Sequence, residues 1–178
     1  MQNITAHSVP QKIGPKVKII SSPPVLSFPM GFFDGDATDT SRGARVYIVI
    51  SESHQLHIKM GCGISTNTCA ELLALWTLLF ISKEIGFPYL HVFGDSSAVI
   101  NWAKDLSSLS ILNLDAWCIN IKKLIASFFV VDFKHVYREH NENEDTLSKE
   151  GLIMASCQLS FTEYCEGVFI GEASLQLF

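Results

Sequence analysis

Four acidic side chains stand at separate points of the sequence where a strand or a helix is predicted to begin or end. Asp34 lies in Phe-Asp-Gly, Glu71 in Cys-Ala-Glu-Leu, Asp95 in Gly-Asp-Ser and Asp145 in Asn-Glu-Asp-Thr. Carboxylates that converge from separate elements repel each other unless a cation lies between them. Mg²⁺ is the usual cation among such oxygen ligands. The set therefore predicts metal-assisted phosphoryl chemistry.

Each acid alone also fits an ordinary structural role. Asp34 precedes a glycine, as in many turns, and Asp95 could cap the helix that follows it. Glu71 could complete a capping box that begins at Thr68. Asp145 falls in the first turn of a predicted helix. These roles are compatible with a shared site, because a carboxylate at a helix start can cap and ligate at different moments.

The elements that must position these acids follow from the spacing of apolar residues. Three strands form a predicted antiparallel meander, and Pro29 favours an edge position or a late start for the first of them. Gly86 ends the first helix. The order β-β-β-α-β-α-α-β-α predicts an α/β fold with a mixed sheet, parallel later strands and helices on both faces. The predicted strands cover 26–34, 44–51, 55–62, 90–93 and 128–136, and the predicted helices cover 67–85, 96–104, 114–127 and 141–150.

Length and composition predict one folded domain with extensions. The chain has 178 residues, of which 48% are hydrophobic, so it can bury a sizeable core. The prediction divides it into a proline-containing arm at 1–27, a domain at 28–150 and a C-terminal extension at 151–178. The net charge of −5 argues against a protein that binds nucleic acid by bulk positive charge.

Two further features concern the cellular environment. The longest apolar run, from Leu72 to Ile81, is too short to span a bilayer, so we expect no membrane partner. The five cysteines form no C-x-x-C pair, and no signal peptide is predicted at the N-terminus. We therefore expect an intracellular protein with reduced thiols, in either the nucleus or the cytoplasm.

The acidic segments together resemble the four sequence blocks of ribonuclease H. These segments are Phe-Asp-Gly, Thr-Asn-Thr-Cys-Ala-Glu-Leu, Gly-Asp-Ser and the stretch from His135 to Lys149. They look most like the RNase H-like domain of plant non-LTR retrotransposons, over residues 28–150. The resemblance implies a five-stranded mixed sheet with flanking helices. It also implies that the protein hydrolyses the RNA strand of an RNA–DNA hybrid.

The resemblance also assigns roles to residues. Asp34, Glu71, Asp95 and Asp145 would hold two Mg²⁺ ions about 4 Å apart, with Mn²⁺ as an alternative. One ion would activate water and the other would stabilise the leaving 3′ oxygen.

Three other side chains are implied in substrate handling. His135 would help the product to leave, and His140 is a second candidate for that role. Asn67 would contact the minor groove of the hybrid, where an amide can read the 2′-OH, and Ser96 would contact the substrate. The alternatives for His135 and Asn67 are a packed strand residue and a helix-entry turn. We expect a monomer that binds nucleic acid.

Two other functions fit parts of the sequence. Asp34 to Thr38 matches the D-x-D-x-T signature of haloacid-dehalogenase-like phosphatases, with Asp34 as nucleophile and Asp36 as general acid. That reading requires a helix soon after Thr38. The acidic charge also fits a catalytically inactive RNase H-like module, derived from a retroelement, that binds nucleic acid or another partner. The presence of all four acids favours the enzyme.

Overall fold

A computed structural model of the chain describes residues 29–37, 42–63, 66–109, 114–136 and 158–176. The predicted arm at 1–27 and the predicted helix at 141–150 lie outside these residues. In chain order the elements are the strands and helices β1 (Met30–Ala37), β2 (Arg42–Ser51), β3 (His54–Gly63), α1 (Asn67–Ile85), β4 (Tyr89–Gly94), α2 (Ser97–Ala103), α3 (Asp115–Ser127), β5 (Val130–His135), β6 (Gln158–Cys165) and β7 (Val168–Gln176).

The described strands form one mixed sheet in the order β5-β4-β1-β2-β3-β6-β7. β1, β2 and β3 pair antiparallel, which confirms the meander. β4 runs parallel to both β1 and β5, which confirms the parallel pairing of the two later strands. Pro29 precedes β1, so the late start is confirmed, whereas the alternative edge position is wrong because β1 lies between β4 and β2.

The expected number of five strands is wrong, because seven strands of the described residues form the sheet. The tail that the sequence left unassigned forms β6 and β7, and β6 pairs antiparallel with β3. The apolar residues of β6 continue the buried face of β3, since Phe161 lies opposite Ile58 and Leu159 lies opposite Met60. Burial of these apolar side chains explains why the sheet extends past its predicted edge.

One face of the sheet carries the core. α1 covers β1, contacts β2 and β3, and packs against both α2 and α3, so the described helices lie together on this face. The prediction of helices on both faces depends on 141–150, outside the described residues. No described helix is long and apolar enough to cross a membrane. The buried apolar side chains of the strands on this face include Phe33, Val46, Ile48, Ile58, Met60, Val92 and Phe133, and α1 meets them with Leu72, Leu75, Leu78 and Leu79.

Helix α1 has the predicted bounds, with a clear signal at each end. The hydroxyl of Thr66 accepts a hydrogen bond from the amide of Cys69 at 3.2 Å, which satisfies one unpaired N–H of the first turn. At the other end Gly86 adopts a left-handed conformation with φ of 91°, which terminates the helix. Both ends are therefore fixed by local chemistry, and this fixes which side chains of α1 face the sheet.

Candidate metal centre

Three of the four predicted acids come together at one end of the sheet. Asp34, Glu71 and Asp95 each offer one carboxylate oxygen, and these oxygens all lie within 4.8 Å of one another. β1 and β4 run parallel, with Phe33 opposite Gly94, so Asp34 and Asp95 follow at the same level of the sheet. Ligands of α/β proteins commonly bind at this end of parallel strands.

Glu71 reaches the site because α1 begins directly over β1. A methyl group on Gly35 would lie less than 3.0 Å from backbone atoms of Ala70 and Glu71, so only glycine permits this approach. The predicted capping box at Thr68 is wrong, since the cap is Thr66 and Glu71 is the fifth residue of the helix. Glu71 is nearly fully buried, and one of its carboxylate oxygens lies within 4.8 Å of oxygens of Asp34 and Asp95.

The structural alternatives for the two aspartates are also corrected. Ser96 caps α2, since its hydroxyl accepts from the amide of Val99 at 3.5 Å, so Asp95 is not the cap. Asp34 lies within β1 and pairs in register with Arg45, so it does not occupy a turn. The ordinary roles considered for Asp34, Glu71 and Asp95 therefore do not explain why these carboxylates converge.

A buried arginine that the sequence analysis missed contacts the cluster. Nη2 of Arg45 donates to Oδ2 of Asp34. Arg45 is 8% exposed and Asp34 is 7% exposed, so the pair is largely removed from water. An arginine inside the apolar run from Ala44 to Ile48 was the available signal, because a buried guanidinium requires an anionic partner.

The remaining predicted site residues have different positions. His135 ends β5, is exposed, and donates from Nε2 to the backbone oxygen of Asp95 at 3.0 Å. Asn67 is the exposed first residue of α1, and Ser96 is the α2 cap already described. Asp145 and His140 lie outside the described residues.

The donor set fits a hard divalent cation. Asp34, Glu71 and Asp95 would hold such an ion, because carboxylate oxygens are the ligands that Mg²⁺ and Mn²⁺ prefer. One oxygen of each carboxylate has almost no contact with solvent. Arg45 contacts one of these three acids, Asp34. Like charges this close favour a bound cation.

The adjacent lysines of α3 contribute little positive charge to a binding surface. Nζ of Lys122 donates to the backbone oxygens of Trp102 and Ala103 and forms an ion pair with Asp105 at 2.6 Å. It also lies 4.9 Å from the centre of the Trp102 ring. Lys122 therefore joins α2 to α3, and Lys123 is the exposed member of the pair.

Comparison with known proteins agrees with this architecture. The model of the reverse transcriptase-like family matches residues 32–151. RNase H1 of the archaeon Halobacterium salinarum is 24% identical, with 70% of this chain and 96% of that chain covered and a TM-score of 0.63. LC11-RNase H1, solved in complex with an RNA/DNA hybrid, is 21% identical with the same coverage and TM-score.

A viral structure is also similar. The foamy viral protease-reverse transcriptase, in complex with an RNA/DNA hybrid, is 16% identical, with 83% of this chain and 23% of that chain covered and a TM-score of 0.61. A search of the curated proteins found no significant match. The family match covers more than half of the chain, and the solved structures share its fold. The chain therefore belongs to the reverse transcriptase-like family and has an RNase H-like α/β fold.

Proposed function

We propose that the protein is a metal-dependent endonuclease that hydrolyses the RNA strand of RNA–DNA hybrids. The observation that carries the proposal is the convergence of Asp34, Glu71 and Asp95 within 4.8 Å at one end of an RNase H-like sheet. Two structures with this fold, LC11-RNase H1 and the foamy viral enzyme, hold an RNA/DNA hybrid. Together these findings favour a hybrid as the substrate.

The chain positions the reacting groups through rigid elements. Asp34 projects from a central strand, Glu71 from α1 and Asp95 from the end of β4, so the backbone positions of the three acids are fixed by the fold. Asp34, Glu71 and Asp95 would hold divalent metal, which would supply an activated water and stabilisation of the charge on the leaving 3′ oxygen. Asp145, predicted as the fourth ligand, would complete the set.

Three residues near the acids are proposed to contact the substrate or help the product to leave. Asn67 lies one helical turn before Glu71, and residues four apart occupy the same face of a helix. Its exposed amide is therefore suited to contact a 2′-OH beside the metal centre. His135, joined to the backbone of Asp95, is proposed to help product release, and Ser96 adds a hydroxyl at the same strand end.

The charge balance predicts weak intrinsic affinity for a duplex. The chain carries a net charge of −5, and Lys122 is committed to contacts within the fold. Phosphate contacts supply much of the affinity of nucleic-acid-binding proteins. We therefore propose that bound metal contributes strongly to holding the hybrid. A filter-binding titration in Mg²⁺ and in EDTA tests this, and equal affinity in both would contradict it.

The remaining parts of the proposal concern the evolutionary origin of the domain, its cellular location and its oligomeric state. The residue blocks around the acids favour a domain of the plant non-LTR retrotransposon type. We further propose that it works as an intracellular monomer. Light scattering coupled to size-exclusion chromatography tests the monomer, and a stable dimer would contradict it.

A cleavage assay tests the central proposal. Wild-type protein, with RNA–DNA hybrids labelled on either strand and Mg²⁺, is expected to cut the RNA strand alone. Asp95→Asn should reduce the rate by roughly a hundredfold or more, because a lost ligand costs several kcal/mol of transition-state stabilisation. Asp132→Asn is the matched control, since Asp132 lies on β5 and pairs with His91 and Lys134 outside the cluster. Equal rates for wild type and Asp95→Asn would contradict the proposal.

A second candidate function is an inactive RNase H-like module that binds nucleic acid or another partner. The contact of Arg45 with Asp34 favours it, because a guanidinium already neutralises one of the acids. This candidate predicts binding of the hybrid without cleavage at any Mg²⁺ concentration. The phosphatase reading is not proposed, since β1 ends at Ala37 and β2 begins at Arg42, which leaves no room for the required helix.

A further inference from the structure

Arg45 is built into the metal centre by the sheet register. It lies directly opposite Asp34 in the antiparallel pairing of β1 and β2, so both side chains project from the same face. Its Nη2 donates to Oδ2 of Asp34. Arginine keeps its charge at every pH at which proteins fold. Arg45 therefore keeps a permanent positive charge against Asp34, one of the three converging carboxylates.

Burial makes this contact strong and difficult to replace with water. The side chains of Arg45 and Asp34 are only 10% and 9% exposed. Nε and Nη1 of Arg45 are buried and donate no hydrogen bond to any described residue. Within the described part of the chain, Asp34 is thus the anion that holds the guanidinium in place. A buried charge that loses its partner is strongly destabilising.

The guanidinium and a divalent cation would share one carboxylate, that of Asp34. Asp34 is one of the three acids whose oxygens lie within 4.8 Å of one another, so an ion among them would draw on its carboxylate. Two cations at one carboxylate repel each other, so the presence of one makes the binding free energy of the other less favourable. The site therefore contains its own competitor for metal.

We propose that Arg45 is a built-in counterion that lowers the affinity of the Asp34–Glu71–Asp95 cluster for divalent metal, and that full metal loading requires its guanidinium to leave Asp34. The inference deepens the proposed function, on which it rests for the role of the three acids as metal ligands. It implies that the protein stays folded without metal and becomes loaded only at elevated Mg²⁺ or Mn²⁺.

Metal binding without nucleic acid tests the inference. Mn²⁺ is titrated into the full chain, and free Mn²⁺ is followed by its paramagnetic resonance signal. Arg45→Gln should lower the dissociation constant by about tenfold, the factor that 1.4 kcal/mol represents. Arg45→Lys, which keeps a positive charge, should bind Mn²⁺ less tightly than Arg45→Gln. The double variant Asp34→Asn/Arg45→Gln should lose the gain.

Lys59→Gln is the matched control for general charge. Lys59 lies opposite Arg45 on β3, one strand further from Asp34. Its loss removes the same formal charge from the same face and should change the dissociation constant by less than about threefold, since screening by solvent weakens distant charges. Equal gains in Lys59→Gln and Arg45→Gln would overturn the inference, because the contact with Asp34 would then have no special effect.

Two further outcomes keep the test decisive. If Arg45→Gln is unfolded without metal, Mn²⁺ should restore its cooperative thermal transition, because the ion replaces the lost counterion of Asp34. A variant that stays unfolded in saturating Mn²⁺ would overturn the inference. Unchanged or weaker Mn²⁺ binding in a folded Arg45→Gln would overturn it too. Cleavage is scored separately, so tighter Mn²⁺ binding in Arg45→Gln without hybrid cleavage by either protein would support the inference and reject the proposed function.

Discussion

The two halves of the sheet differ in what their side chains do. In β1 and β4 the strands run parallel, and three acids, of which Asp34 and Glu71 are buried, converge near one end of this pair. In β6 and β7 the strands form an antiparallel hairpin that leaves large apolar side chains exposed. Exposure reaches 66% for Val168, 54% for Phe169 and 55% for Ile170.

The difference follows from the position of β1 in the sheet. β1 is parallel to β4 and antiparallel to β2, so the strand direction changes at this strand. Loops on the two sides of such a point diverge and leave a crevice, which is where α/β proteins place ligands. The hairpin forms the β7 edge of the sheet and is separated from β1 by β2 and β3. Changes in the hairpin should therefore affect stability and leave the site intact.

The largest expected difference is in catalysis. Glu71→Gln should reduce hybrid cleavage by roughly a hundredfold or more, because it removes one proposed metal ligand. Its melting temperature without metal should stay equal or rise, since one of three repelling charges is lost. Glu172→Gln, on the exposed hairpin, should leave both quantities unchanged. A strong loss of cleavage in Glu172→Gln would show that the hairpin contributes to catalysis, contrary to the difference described between the two halves of the sheet.

Two glycines provide the next test, this time of stability. Gly35→Ala should destabilise the protein by about 1 to 3 kcal/mol, because the new methyl group meets the backbone of α1 and must push it away. Gly171→Ala, where no atom lies within 4 Å of the new methyl group, should stabilise β7 by up to about 1 kcal/mol. Urea unfolding of both variants measures the two effects. Similar free energies of unfolding for the two variants would contradict the close approach of α1 to Gly35.

A smaller effect is expected at the junction between the halves. His54 on β3 and Glu163 on β6 form a hydrogen bond at 2.6 Å, with about a third of each side chain exposed. Glu163→Gln should cost less than about 1 kcal/mol at pH 6, because partly exposed pairs are screened by water. Cleavage by this variant should match wild type. An altered cleavage rate would show that the hairpin influences the site.

The smallest expected effect is a dependence on pH. Burial, and then the charge of Lys59, lowers the pKa of His57. As pH falls, His57 therefore takes up a proton in the unfolded chain before it does so in the folded protein. The stabilisation linked to neutral His57 is complete above about pH 6.5 and declines below it. Between pH 7.5 and pH 5 the melting temperature of wild type should fall slightly more than that of His57→Phe. An equal fall in both would contradict the lowered pKa.

The sequence predicted the three described helices and the central strands well, because local signals govern them. α1 has its predicted bounds since an apolar period runs between a hydroxyl cap and Gly86. The hairpin was missed because its turn is Glu166-Gly167, with φ of 52° and 74° at the two residues. Turns of this kind usually carry Asn-Gly or Asp-Gly, so a glutamate at the first position weakened the signal.

The site was predicted in part. The acids Asp34, Glu71 and Asp95 were found, since their surrounding residues carry recognisable patterns, while their catalytic roles and that of Asp145 stay predictions. Arg45 was missed because its importance depends on the register that places it opposite Asp34. Register depends on the turn between the strands and on packing across the whole sheet, which no short window of sequence contains.

The hydroxyl cap at Thr66 has a consequence for how this protein can vary. Glu71 follows that cap by five positions, and each residue advances a helix by about 100° around its axis. Inserting or deleting a single residue between the two would swing the carboxylate a quarter-turn or more away from its neighbours. Length changes are tolerated in many surface connections, but in this short stretch spacing itself is the constrained quantity.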